Sequence, residues 1–279
     1  MKQIGFAILH TGWVEKDKSI DVNMYGMGME YDRTPAATWW RVPCTAVLVK
    51  HPEAGYLLYD GGVRPDCRFG QQARDAKIEA YTPFFAEREQ TIERQLAKCG
   101  VSVSDLSMVI LSDLSWTHTG ILPLLSGQSA GRQIVVPQAD FAYGATETLL
   151  ARGDVGFHYR KCDFWVSDIG FRYVEQDTTL AEGVRVLHLP GSRPATLGLL
   201  LETPCGTYVF PGRAMPCQEN FTDPATPPAD CYDSLAFQQS ASRLRELYGA
   251  GAKLMLTGDP QAFASWKTAP YFYGEGAEP

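Results

Sequence analysis

The residues with the most chemical potential fall in a short stretch, Ser112-Asp113-Leu114-Ser115-Trp116-Thr117-His118. A carboxylate and an imidazole five positions apart can form an acid/base pair, because an anion beside histidine tunes its proton affinity across the useful range. Ser115 and Thr117 add hydroxyls that can donate to or accept from a ligand. The same four residues would otherwise only fasten a loop by hydrogen bonds, and sequence leaves both readings open. The chain has five histidines, His10, His51, His118, His158 and His188. His10 ends a strand-like run, His51 sits in a turn and His188 on a strand, so these three read as structural or exposed. His158 stands in the aromatic segment Phe157-His158-Tyr159 near Trp165, where contact with a substrate is conceivable.

Several other chemistries are absent. The cysteines, Cys44, Cys67, Cys99, Cys162, Cys205, Cys217 and Cys231, are odd in number and include no C-x-x-C pair, against both zinc ribbons and disulfide scaffolds. No G-x-x-x-x-G-K-[ST] or G-x-G-x-x-G occurs, and Gly191-Ser192 does not complete G-x-S-x-G. A net charge of −7 argues against a nucleic-acid partner. The N-terminal apolar run is too short for a signal peptide and no apolar run is long enough to span a membrane, so a soluble, cytoplasmic chain is expected.

The elements that must position Asp113 and His118 can be read from apolar patterning. Strands are predicted at 4–9, 45–50 and 56–59, then an amphipathic helix ending at Cys99-Gly100. A buried strand at 108–111 delivers the chemical loop. Another strand at 133–136 precedes a helix at 140–150. Strands at 172–174, 184–189, 197–202 and 207–210 follow, then a helix over 234–247, a strand at 253–257 and a helix from Pro260. Strands in hairpins, then alternating with helices, twice over, predict an α/β fold with two sheets between helices. The 279 residues are read as one domain, with a lid or insertion at 153–170.

The run MVILSDLSWTHTGIL at 108–122 resembles the metallo-β-lactamase superfamily, whose stretch reads roughly V-I-L-S-H-x-H-x-D-H-x-G. TAVLVKHPEAGYLLYDGG, LPGSRPATLG, VFPGRAMPCQENF and LMLTGDPQAF follow the order of its quorum-quenching lactonase branch, spanning about residues 43–265. The resemblance implies a four-layer αβ/βα sandwich and a two-metal hydrolytic site. Position by position, however, the implied metal ligands have changed. Asp113, Ser115 and Thr117 replace two histidines and an aspartate, and only His118 is kept. Ser192 and Thr196 stand for the histidines of P-G-H-x-x-G-H, Arg213 for the bridging carboxylate and Gly258 for the last histidine. A lactonase tyrosine falls near Pro216.

Serine, threonine and glycine are poor substitutes for the N, O and S donors a zinc site requires. Arg213 brings a permanent cation where the resemblance implies an anion. At 4 Å from a dication it would be repelled by about 8 kcal/mol, taking about 4 kcal/mol per unit charge. The expectation is therefore an enzyme without metal or other cofactor, acting on a small aromatic or carboxylated molecule. Asp113, His118 and Arg213 would be catalytic; Ser115, Thr117, Ser192, Thr196, Asp259, His158 and Trp165 would bind substrate. Arg213 would hold an oxyanion or enolate, serving lactone or ester hydrolysis, or lyase or isomerase chemistry. Alternatives are a non-catalytic pseudoenzyme, in which Arg213 pairs with Asp113 or Asp259, and a mononuclear site on Asp113, His118 and Asp259. The resemblance also leaves a homodimer open.

Overall fold

The computed structural model describes residues 3–23, 25–64, 76–125, 132–153, 158–164 and 169–275. Its first sheet contains β1 (Gly5–Asp17), β2 (Trp39–His51), β3 (Gly55–Tyr59), β4 (Phe84–Phe85), β5 (Leu106–Ile110), β6 (Gln133–Pro137) and β7 (Phe171–Val174), in the order β4-β1-β2-β3-β5-β6-β7. The second contains β8 (Thr178–Ala181), β9 (Val184–His188), β10 (Leu197–Thr203), β11 (Gly206–Phe210) and β12 (Lys253–Leu254), in the order β12-β11-β10-β9-β8. The helices are α1 (Ala76–Tyr81), α2 (Ile92–Lys98), α3 (Leu122–Leu125), α4 (Gln138–Ala151), α5 (Ser234–Gly249) and α6 (Pro260–Ala264).

The strands are apolar almost continuously because both of their faces are covered. Phe6, Ile8, Val47, Val49, Leu57 and Tyr59 turn to one side and meet Leu199, Leu201, Tyr208 and Phe210 of the second sheet. Their neighbours Ala7, Leu9, Ala46, Leu48 and Leu58 turn to the other side, against Ile92 and Leu96 of α2 and Leu122 and Leu125 of α3. Leu187, Leu200 and Val209 on the outer face of the second sheet pack on Phe237, Ala241 and Leu244 of α5. Helix, sheet, sheet, helix is the resulting order of layers. Each large apolar side chain removed from water contributes about 1.5–3 kcal/mol to holding them together.

The first hairpin is longer than its sequence suggests. Thr11 to Asp17 and Trp39 to Pro43 look like loop because polar residues interrupt them, yet β1 and β2 pair as far as Asp17 opposite Trp39. A register shift between His10 and Gly12 lets the strand bend there. Gly12 has φ +131°, and a Cβ would sit 2.5 Å from the Phe84 ring, so glycine is needed. The extension places Val14, Lys16 and Val42 beside the loop that follows β5. β8, short and without apolar periodicity, has no counterpart among the expected strands.

Candidate functional site

β5 ends at Ile110, and the chain beyond it is held by its own polar groups. Asp60, just after β3 and at φ +59°, accepts from the Ser112 backbone N–H at 2.8 Å and from Ser112 Oγ at 3.0 Å. Asp113 is fully buried, and its Oδ1 accepts from the Ser115 N–H at 2.9 Å. His118 Nδ1 lies 2.7 Å from the same Oδ1 and 4.0 Å from Asp60 Oδ1. The Leu114 N–H donates to Asp140, whose other oxygen accepts from Tyr159 Oη.

This arrangement charges His118. Burial favours the neutral ring, but the Asp113 and Asp60 carboxylates and the Asp113 hydrogen bond outweigh it and raise the pKa to about 9. Burial likewise opposes the Asp113 carboxylate, but His118, Arg213 and Arg193 hold its pKa well below the usual range. Asp60 goes the other way: burial lifts it to about 6, with Asp113 adding and His118 opposing. With Nδ1 committed to Asp113, Nε2 is the ring nitrogen of His118 that can serve a ligand.

A second histidine–aspartate pair faces the same pocket. His158 Nε2 bonds Asp230 Oδ2, which also accepts from Arg193 Nη2 at 2.8 Å. Arg213 Nη2 stands 3.5 Å from Asp230 Oδ1. Here burial and the two guanidiniums prevail over Asp230, so the His158 pKa falls to about 3 and the ring is neutral. The pocket wall combines Asp60, Thr117, His118, His158 and Arg213 with apolar Val14, Ile20, Val42, Trp116 and Pro216. A buried ion pair, Lys16 Nζ to Asp21 Oδ1 at 2.7 Å, closes one side.

The structure places Thr117, His118, His158 and Arg213 on one pocket wall, with Asp113 bonded behind His118. Ser115, Ser192 and Thr196 are buried, and their hydroxyls have no hydrogen-bond partner among the described residues; the same holds for Asp113 Oδ2 and the Nε atoms of Arg193 and Arg213. Asp259 requires a correction. Its Oδ1 accepts from the Gln261 and Ala262 N–H groups and its Oδ2 from Gln218, so it caps α6 and joins a neighbouring turn instead of lining the pocket. Trp165 lies outside the described residues. Within the expected insertion, residues 158–164 are fastened to the β5 loop: Trp116 N–H donates to His158 O, and Asp163 binds Arg64 and Thr119. Arg213 pairs with neither Asp113 nor Asp259; its carboxylate partner is Asp230.

Asp230 and Arg193 were not among the expected site residues. Arg193 lies inside the segment LPGSRPATLG, where its charge is the available signal. Asp230 lies in an irregular, proline-rich stretch with no signal at all. The donor set does not fit a two-metal centre. Asp113 and His118 bond each other, the buried hydroxyls of Ser115, Ser192 and Thr196 are poor donors to zinc, and the Arg213 guanidinium on the pocket wall would repel a cation. Among the described residues, no group of three His, Cys, Asp or Glu side chains is arranged to hold a metal ion.

No protein-family model matches the chain. It is 23% identical to the N-acyl homoserine lactonase AttM of Azorhizobium caulinodans and 24% identical to that of Agrobacterium fabrum, each match covering 98% of this chain and 100% of the relative. A structure of a mutant AiiA from B. thuringiensis, with N-decanoyl-L-homoserine bound at its active site, superposes with a TM-score of 0.80 at 22% identity; the match covers 98% of this chain and 100% of that one. AidC, a dizinc quorum-quenching lactonase, gives 0.67 at 15% identity over 98% and 94%. The fold is therefore the metallo-β-lactamase-type sandwich of these lactonases.

Proposed function

We propose that the chain is a hydrolase of small lactones or activated esters, using protein cations in place of metal ions. One observation carries the reading: a single pocket wall presents the His118 ring, held protonated by Asp113, together with the Arg213 guanidinium. The carbonyl oxygen would lie against Arg213, which stabilises the negative charge that develops there. Asp60, ionised above about pH 6, would take a proton from the attacking water. The water oxygen bonds to the carbonyl carbon and the π electrons move to oxygen. Collapse of this adduct expels the ring or ester oxygen, which takes the Nε2 proton of His118. Solvent then removes the proton from Asp60 and restores that of His118. The lactonases among the relatives support the lactone as substrate class and favour hydrolysis over the lyase or isomerase chemistry the same cations would suit.

A non-catalytic ligand-binding role has one observation behind it, the approach of Asp230 to Arg213. Assay of N-acyl homoserine lactones, simple lactones and aryl esters, before and after chelation, decides between these readings. Turnover unchanged by chelator is the expected outcome. Saturable binding without turnover would favour the non-catalytic role. One or two equivalents of tightly bound zinc, iron or manganese, with activity lost on their removal, would overturn metal independence.

A further inference from the structure

We propose that Arg193 is a positioning residue: it holds the Asp230 carboxylate so that the Arg213 guanidinium stays available to substrate. This rests on the role of Arg213 proposed above.

Three groups converge on Asp230, and they do so unequally. Arg193 Nη2 makes a full ion pair at 2.8 Å and His158 bonds the same oxygen, whereas Arg213 remains at 3.5 Å, the edge of hydrogen-bonding distance. Arg193 is buried, 6% exposed, and is not part of the pocket wall, so it acts through Asp230. The two are mounted on loops tied together by backbone. Gly191 N–H donates to Arg193 O at 2.9 Å, and Gly191 O accepts from the Asp233 N–H at 2.9 Å. Ser240 Oγ at 2.7 Å from Pro190 O secures the same turn to α5. Arg193 therefore cannot drift from Asp230 without breaking these ties.

The consequence is competitive. A carboxylate with one strong guanidinium partner attracts a second less strongly, and bidentate pairing is the preferred end state of an arginine beside an unmatched carboxylate. Without Arg193, Asp230 would close on Arg213 and remove it from the pocket wall.

The experiment compares Arg193→Met, Asp230→Asn and the double variant. Arg193→Met should lower kcat by about 100-fold with KM little changed, the size of effect seen when an oxyanion donor is lost. Adding Asp230→Asn removes the trap, so the double variant should recover about tenfold over Arg193→Met. Arg193→Lys, which keeps the charge, should retain most turnover, and Arg193→Gln replaces the methionine variant if that one does not fold. A double variant no better than Arg193→Met would reduce Arg193 to a fold support and overturn the proposal, as would unchanged kcat in Arg193→Met. If the wild-type chain turns over no lactone or ester, the hydrolase reading fails by itself. A crystal structure of Arg193→Met then decides the positioning role: contraction of the Arg213–Asp230 gap to an ordinary ion pair supports it, and an unchanged 3.5 Å rejects it. NMR of His158 gives an independent check, since the ring should titrate at higher pH once the Arg193 charge is gone.

Discussion

His118–Asp113 and His158–Asp230 are the same chemical pair, each presenting its histidine to one pocket, and one ring is protonated where the other is neutral. His118 has a second carboxylate, Asp60, at 4.0 Å and is driven to about 9. His158 shares its aspartate with two guanidiniums and is driven to about 3. Both rings are partly buried to a similar degree, with side chains 16% and 11% exposed, so burial does not distinguish them; the neighbours of each aspartate do. A histidine–aspartate contact thus predicts neither an acid nor a base until the surrounding charges are counted.

The contrast is broken most severely by Asp113→Asn. His118 then loses its principal anion while remaining largely shielded from water. The ring should titrate near or below its ordinary 6.5 by NMR, and kcat/KM should fall on the order of 10³-fold. Next comes Arg213→Ala, expected to cost on the order of 10²-fold in kcat/KM with the Tm nearly unchanged. Retained activity would show that Arg213 does not stabilise the oxyanion.

Smaller effects follow from pH. Turnover should be bell-shaped, rising through about pH 6 as Asp60 ionises and falling through about pH 9 as His118 deprotonates. A raised His118 favours the folded chain when protonated. Its contribution is whole below pH 6.5 and drains away as pH rises through 9, so the Tm advantage of wild type over His118→Gln should shrink over that window. A lowered His158 favours the folded chain when neutral. That contribution is whole above pH 6.5 and lost as pH falls toward 3, so comparison with His158→Gln should turn against wild type on the acid side. Asp230→Asn should cost about 1–3 kcal/mol in denaturant unfolding, because Arg193 loses its charged partner. The smallest effect belongs to Asp259→Ala, about 1 kcal/mol from the lost helix cap, with turnover kept.

The layered frame was readable because its rule is local. A strand covered on both faces leaves an unbroken apolar run, as at Met108–Leu111 and Leu197–Leu201, and a helix covered on one face leaves the spacing of Phe237, Ala241 and Leu244. Asp113 and His118 were readable for a similar reason, being five residues apart on one loop. Asp230 was not, because its meaning depends on Arg193 and Arg213, 37 and 17 positions away. Asp259 misled because it stands inside LMLTGDPQAF, a segment that resembles a lactonase motif. Its own neighbour offered the better clue: an aspartate immediately before proline is a common way to start a helix, and it does so here.

The contact between the β5 loop and the segment after residue 157 gives the two pairs a shared reporter. Ser115 and Tyr159 form an isolated β-bridge, and the Trp116 amide proton is held by the His158 carbonyl at 2.9 Å. That amide lies between the loop carrying His118 and the residue at the centre of the second pair. Its rate of hydrogen–deuterium exchange therefore measures how often the two walls part. A ligand that engages both histidines should slow exchange at Trp116, whereas one that binds only Arg213 should leave it unchanged.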